Sequence, residues 1–283
     1  MRADLLGQLS DRCGALKADI ESLTKLHEQT PPPEPVMQYV CTEFLASEPG
    51  MPPEQPYHWL WKWFPQHTQR IDRQNEATRD AYLAAHRHWL DTHAAHDRRE
   101  LELRELYRLR DEGTEAGIEE FMSAHMAMLQ WPQDTALDLS FDPEHGRACL
   151  DIDFPEIENL PDGIPEPAPR TLELCIKRFS DTARRSLYAA HVHSVLFRLV
   201  GEAFWTSTAV DEVLAPGYSQ RPDRETGAIR DEYLISVQIG RNAWEAIDFG
   251  NLAQIDPIEA IARFPHRRKM TKTGLFREVE PFG

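Results

Sequence analysis

Between Gln66 and Glu112 the chain holds no proline and no glycine, and its nine arginines alternate with ten acidic residues. Nothing in that stretch breaks a helix, and opposite charges fall three or four residues apart, as with Arg98 and Glu102 or Glu100 and Arg104. The pattern predicts one long solvated helix, which at 1.5 Å per residue runs on the order of 65 Å. A compact domain is narrower than that, so part of the helix must lie against another helix or project. Gly113 ends it and Thr114 can cap the next, whose core face is Ile118, Phe121, Met122, His125, Met126 and Leu129.

Residues 2 to 28 read as the partner helix, because Leu5, Leu6, Leu9, Cys13, Leu16, Ile20, Leu23 and Leu26 recur at three- and four-residue steps. A single apolar stripe cannot bury itself, so a long helical hairpin is expected. Between the two helices lies a proline-bounded aromatic patch containing Tyr57, Trp59, Trp61, Trp63 and Phe64. Three closely spaced tryptophans are either buried at the base of the hairpin or cover a protein partner, and Trp59, Trp61 and Trp63 are the candidate partner-binding residues.

Past Pro132 the apolar period changes from helical to alternating. Leu137 to Phe141 and Ala148 to Phe154 flank a DPEHG turn and predict a hairpin, and a proline-rich acidic connector runs from Pro155 to Pro169. LELCIKRF then reads as a strand, Ser180 or Asp181 caps a nearly all-apolar helix to about Trp205, and Val210 to Tyr218 pairs with Ile229 to Ile239 in a second hairpin. The fold class is α+β: an N-terminal long helical hairpin, residues 1–131, then residues 132–283 as a mostly antiparallel two-hairpin sheet packed on a buried helix.

Lys plus Arg number 31 against 47 Asp plus Glu in 283 residues, a formal charge of −16. Such a surface repels phosphate backbones and anionic lipids unless basic residues are segregated. One run achieves this: Arg263, Arg267, Arg268, Lys269 and Lys272 have no acid among them, whereas 134–173 holds eleven acids and two basic residues. The basic C-terminal tail is therefore a candidate nucleic-acid contact, or a match for that acidic stretch. The charged N-terminus lacks the apolar core of a signal peptide, no span of about 18 apolar residues occurs, and four widely spaced cysteines include no CxxC pair, so a cytoplasmic protein with reduced thiols and no membrane partner is expected.

Motifs for phosphate loops, dinucleotides, nucleophile elbows and zinc proteases are absent from the sequence. Asp162, Glu173 and Lys177 fail as a nuclease set, because four residues on a strand place the last two roughly 13 Å apart. His86, His88, His93 and His96 tempt a metal argument, but on a helix His86 and His88 diverge, and helix-contact roles are expected. His191, Ser194, Arg198 and Glu202 form a polar stripe on the apolar helix, with Arg198 and Glu202 one turn apart as a half-buried ion pair or a groove for a ligand. No catalytic residue, metal or cofactor is expected.

The segments GIEEFMSAHM, LDLSFDPEHGRACLDIDFPEIENLP, YAAHVHSVLFRLVGEAF, YLISVQI and WEAIDFGNLAQIDP, in that order from about Glu105 to Pro257, resemble the region that precedes the nuclease domain in bacterial restriction endonuclease-like proteins of the Mrr type. In those relatives a nuclease domain with PD...(D/E)xK residues follows. Too few residues follow Pro257 here to build one, so none of its catalytic positions is carried over. What the resemblance implies is a setting: an accessory or scaffold subunit of a bacterial antiviral defence or restriction-modification-like system. Its coiled-coil-like helical region would dock a separately encoded effector or a second copy of itself. A DNA-binding component using the basic tail is the alternative, and a metal-dependent enzyme a more distant one.

Overall fold

A computed structural model describes the chain except residues 1, 35, 58, 61–64, 134, 169–172, 224 and 283, and the side chains of 2–6. Two compact units emerge, one formed by 1–37 with 108–283 and one by 38–107. The expected boundary at 131 is thereby corrected, because the first helix and the helix after Thr114 both pack into the α+β core.

In the larger unit, α1 (Arg2–Ser22) is followed by a 3-10 turn, Leu26–Gln29. The stripe of α1 finds its cover on a pair of strands, β3 (Gly163–Ala168) and β4 (Glu173–Arg178), where the sequence pointed to a second helix. A strand pair also presents a flat apolar face, and Cys13 and Leu23 are buried while Leu16 stays 38% exposed. The stretch expected as a proline-rich acidic connector thus contains a strand, β3.

Helix α3 (Glu115–Ala127) starts where Thr114 Oγ1 accepts from the Gly117 amide at 3.2 Å, and Gly113, at φ 71°, closes the preceding helix. β1 (Ala136–Asp142) and β2 (Arg147–Asp153) form the first hairpin. Helix α4 (Asp181–Thr206), capped by Ser180 Oγ accepting from the Ala183 amide, leads to β5 (Glu212–Pro222) and β6 (Ile229–Gly240), the second hairpin. β2 pairs with β5 in parallel, so the two hairpins become one sheet with α4 as the crossover. Short helices α5 (Arg241–Trp244) and α6 (Pro257–Ile261) precede β7 (His266–Met270) and β8 (Phe276–Arg277), giving the order β1-β2-β5-β6-β7-β8. The fold is α+β and mostly antiparallel.

The core lies between α4 and the sheet. Val192, Val195, Leu196, Val200 and Phe204 are fully buried against Val213, Ala215, Ile235 and Val237. Trp244 closes one end, with its ring 4.6 Å from Phe197 and 6.0 Å from Phe204, Phe249 and Phe264.

The smaller unit is built on α2 (Pro65–Asp111), 47 residues long, which continues into the larger unit at its C-terminal end. Among the described residues no helix is long and apolar enough to cross a membrane.

Candidate interaction surfaces

The polar stripe of α4 is a clamp. His191 donates from Nδ1 to the Leu23 carbonyl at 2.9 Å, and Ser194 Oγ accepts from the His27 amide at 3.0 Å while lying 3.1 Å from His27 Nδ1. Arg198 bonds Glu202 at 2.5 Å and reaches Gln29 at 2.7 Å, and the other Glu202 oxygen meets His125 Nε2 of α3 at 2.8 Å. Glu202 is 2% exposed, so a carboxylate there requires these partners. The stripe therefore ties residues 23–29 and α3 to α4, the structural one of its two expected roles. Its i,i+4 pair was legible; His27, Gln29 and His125 are too distant in sequence for any local pattern to supply.

The basic run is not a tail. It includes β7, which pairs with the edge of β6 through Ile235 with Arg268, Ser236 with Arg267 and Val237 with His266. Strand alternation divides the cations. Arg268 turns inward and donates to His193 Nε2 at 2.6 Å. His193 Nδ1 in turn donates to the Ala189 carbonyl at 2.6 Å, so the imidazole is neutral, and burial pushes its pKa down to about 4. Arg267 faces outward but is held over the Phe282 ring, 4.5 Å from its centroid, and bonds the Pro281 carbonyl at 2.8 Å. Arg263, Lys269 and Lys272 are exposed. The five cations therefore do not form one surface: Arg268 is turned inward and Arg267 is engaged by Phe282 and Pro281, which leaves Arg263, Lys269 and Lys272 exposed. Among the described residues none of the five pairs with an acid of 134–173.

On the outer sheet face Asp151 and Asp153 are held above the usual carboxylate range, first by burial and then by neighbouring acids including Asp231. Tyr233 donates to Asp151 at 3.2 Å.

In the smaller unit an extended strap, residues 38–57, runs antiparallel along α2. Tyr39 and Thr42 both hydrogen-bond Glu100, and those donors hold its carboxyl down to about 2. Phe44 packs edge-on over His93 at 4.8 Å and Trp89 at 6.1 Å, and Trp89 Nε1 donates to the Ala46 carbonyl at 2.8 Å. Glu48 meets His86 at 2.9 Å, the Gln55 amide reaches Asn75 at 2.8 Å, and Tyr57 bonds Asp72. His86, His93 and His96 thus contact the extended strap where a second helix was expected, His88 is exposed, and His93 pairs with Asp97 at 3.0 Å. Among the described residues no group of three or more His, Cys, Asp or Glu assembles as a metal site.

Trp59 is 69% exposed; Trp61 and Trp63 lie outside the described residues. On α2 itself Leu83, Leu90 and Leu101 are 49%, 48% and 66% exposed. Offsets of seven and eighteen residues bring all three within about 20° of one line, roughly a quarter-turn round the helix from the strap. No protein-family model, no curated protein and no solved structure matches the chain.

Proposed function

We propose that this chain is a non-catalytic accessory or scaffold subunit of a bacterial defence or restriction-type system, and that the 38–107 unit docks a separately encoded effector protein. The supporting observation is the leucine line of α2. Three large apolar side chains face solvent on a helix otherwise rich in charge, while the strap occupies a different face. Helix-in-groove recognition reads apolar anchors along one face of a helix, and these three lie on one line over about 27 Å. The setting rests on the resemblance of residues 105–257.

Co-expression with the products of neighbouring genes tests the reading. A stable complex is expected, and Leu83→Glu, Leu90→Glu and Leu101→Glu together abolish it while far-ultraviolet circular dichroism stays unchanged. Retention of the partner by the triple variant, or cleavage of DNA by the purified chain alone in Mg²⁺, sinks it.

A further inference from the structure

β3 and β4 form a sheet of two strands, one edge of which is closed and the other open. Phe179 donates its amide to the Asp162 carbonyl at 2.8 Å, which fixes the direction of the ladder bonds. Even-numbered residues of β3 bond odd-numbered residues of β4, and the alternate positions point away. On β3 those outward positions are Gly163, Pro165 and Pro167, and the two prolines have no amide hydrogen to offer. On β4 they are Leu174, Ile176 and Arg178, whose amides and carbonyls face outward with no backbone partner among the described residues. The same three residues lie on the face turned toward α1, where Leu16, Ile20, Leu23, Pro165, Leu174 and Ile176 line a groove of about 540 Å³. Ile176 is nevertheless 58% exposed.

We infer that the open edge of β4 takes the β4 strand of a second copy of this chain, antiparallel across a twofold axis. The strand's own sequence selects the occupant and the register. With Cys175 opposite the second copy's Cys175, Glu173 faces the second copy's Lys177 and Lys177 its Glu173, a pair of opposite-charge contacts generated by symmetry. Leu174 and Ile176 then form the hydrogen-bonded pairs, apolar against apolar, and extend the face that α1 covers. A slip of two residues one way places Leu174 opposite Arg178 and Cys175 opposite Lys177, and the other way places Cys175 opposite Glu173; either loses the charge pairing and keeps one apolar pair in place of two. Registers shifted by one residue fail because the outward amides no longer meet carbonyls. Lys177 already approaches Glu166 at 3.5 Å, but both side chains are largely exposed and such a pair holds little. The result is a four-stranded sheet, β3-β4-β4-β3, in which the exposed edge disappears.

Sedimentation equilibrium of the full chain carrying Cys41→Ser, which removes the exposed thiol of the strap, under reducing conditions, reads the association directly. A concentration-dependent dimer is expected. Glu173→Lys alone or Lys177→Glu alone places like charges opposite each other twice and weakens the dimer about tenfold, whereas the double exchange restores it. Under mild oxidation by diamide the Cys41→Ser chain forms a disulfide-linked dimer, and the further change Cys175→Ser abolishes the link. Non-hydrogen-bonded antiparallel pairs have the short Cα separation of about 4.5 Å that a disulfide accepts. The leucine-line triple variant leaves this dimer intact, which separates its failure from failure of the effector-docking reading. A chain that stays monomeric at every concentration reached, or a dimer indifferent to both single reversals, overturns the inference.

Discussion

Gly201 on α4 shows how closely the N-terminal segment is seated. A Cβ there would come 2.1 Å from Thr30 Cγ2, a separation that no side chain tolerates. Gly201→Ala is therefore expected to destabilise the larger unit by about 1–3 kcal/mol in urea unfolding. Adding Thr30→Ser, which removes the offending methyl, should recover most of the loss, and an additive double mutant would contradict the contact. The buried imidazoles make a second residue-scale prediction. His27, His191 and His193 all have pKa values lowered chiefly by burial, so the unfolded chain takes up their protons first on acidification. Their contribution is complete above the ordinary histidine value near 6.5 and fades as pH falls toward 4, where His193 titrates; for His193 alone the loss is on the order of 2–3 kcal/mol. Burial sets this direction at His193: the Arg268 cation and His266 oppose its protonation, while the hydrogen bond to the Ala189 carbonyl and the Asp256 carboxylate favour it. Asp151 and Asp153 act in the opposite sense, since carboxyls with raised values gain stability when protonated. Unfolding measured from pH 7 to pH 4.5 should thus flatten in His193→Gln, which keeps an acceptor for Arg268 and removes the titration. An unchanged profile would assign the acid sensitivity elsewhere.

Among the elements, the strap on α2 has the least regular structure and the most specific contacts. Phe44 is its central anchor, touching Trp89, His93 and His96, and the polar bonds at Glu100 and Asn75 lie to either side. Phe44→Ala is expected to free the segment around it, so that limited proteolysis cuts within residues 40–55 at least tenfold faster while the larger unit's unfolding is unaltered. Equal cleavage rates would mean that the polar contacts suffice. This strap was not legible in the sequence, because an extended segment held by side chains of a distant helix carries no period. Where packing repeats, the reading succeeded: α4 begins at its expected cap, and β1 and β2 flank the DPEHG turn as the alternation of Leu137, Leu139 and Phe141 indicated. β3 was hidden by its prolines, which suit an edge and disfavour a strand interior. β7 was hidden by charge, since HRRKM resembles a solvated tail until β6 is seen to need an edge partner. The candidate site followed the same division. Arg198 and Glu202 were found together because four residues is a helical turn, but the inward aim of Arg268 depends on which strand it joins.

At the level of the whole chain, the 38–107 unit is an insertion between two parts of the larger unit, and the junction is well defined. Met37 donates its amide to the Trp205 carbonyl at 3.3 Å and accepts from Arg110 at 2.6 Å through its own carbonyl. Arg110 is only 2% exposed; its guanidinium also bonds Asp111 at 2.6 Å and lies 4.6 Å from the centroid of Phe121. The exit at Met37 and the re-entry through Arg110 are thus tied to each other and to Trp205, Asp111 and Phe121, all within the larger unit. Among the described residues, the buried core of α4 and the sheet is drawn from 1–37 and 108–283. Because Met37 and Arg110 touch, a linker of about six Gly and Ser residues spans the gap from residue 37 to 108 with slack. A chain with 38–107 replaced in this way is expected to unfold cooperatively, with a urea midpoint close to that of the larger unit in the intact protein. Its helical circular dichroism should fall by the share that α2 contributes. It should lose the effector and keep the β4 dimer. If the shortened chain is instead molten, with no cooperative transition and exposed apolar surface that binds a hydrophobic dye, then α2 is part of what folds the α+β unit, and the division into two self-sufficient bodies is wrong.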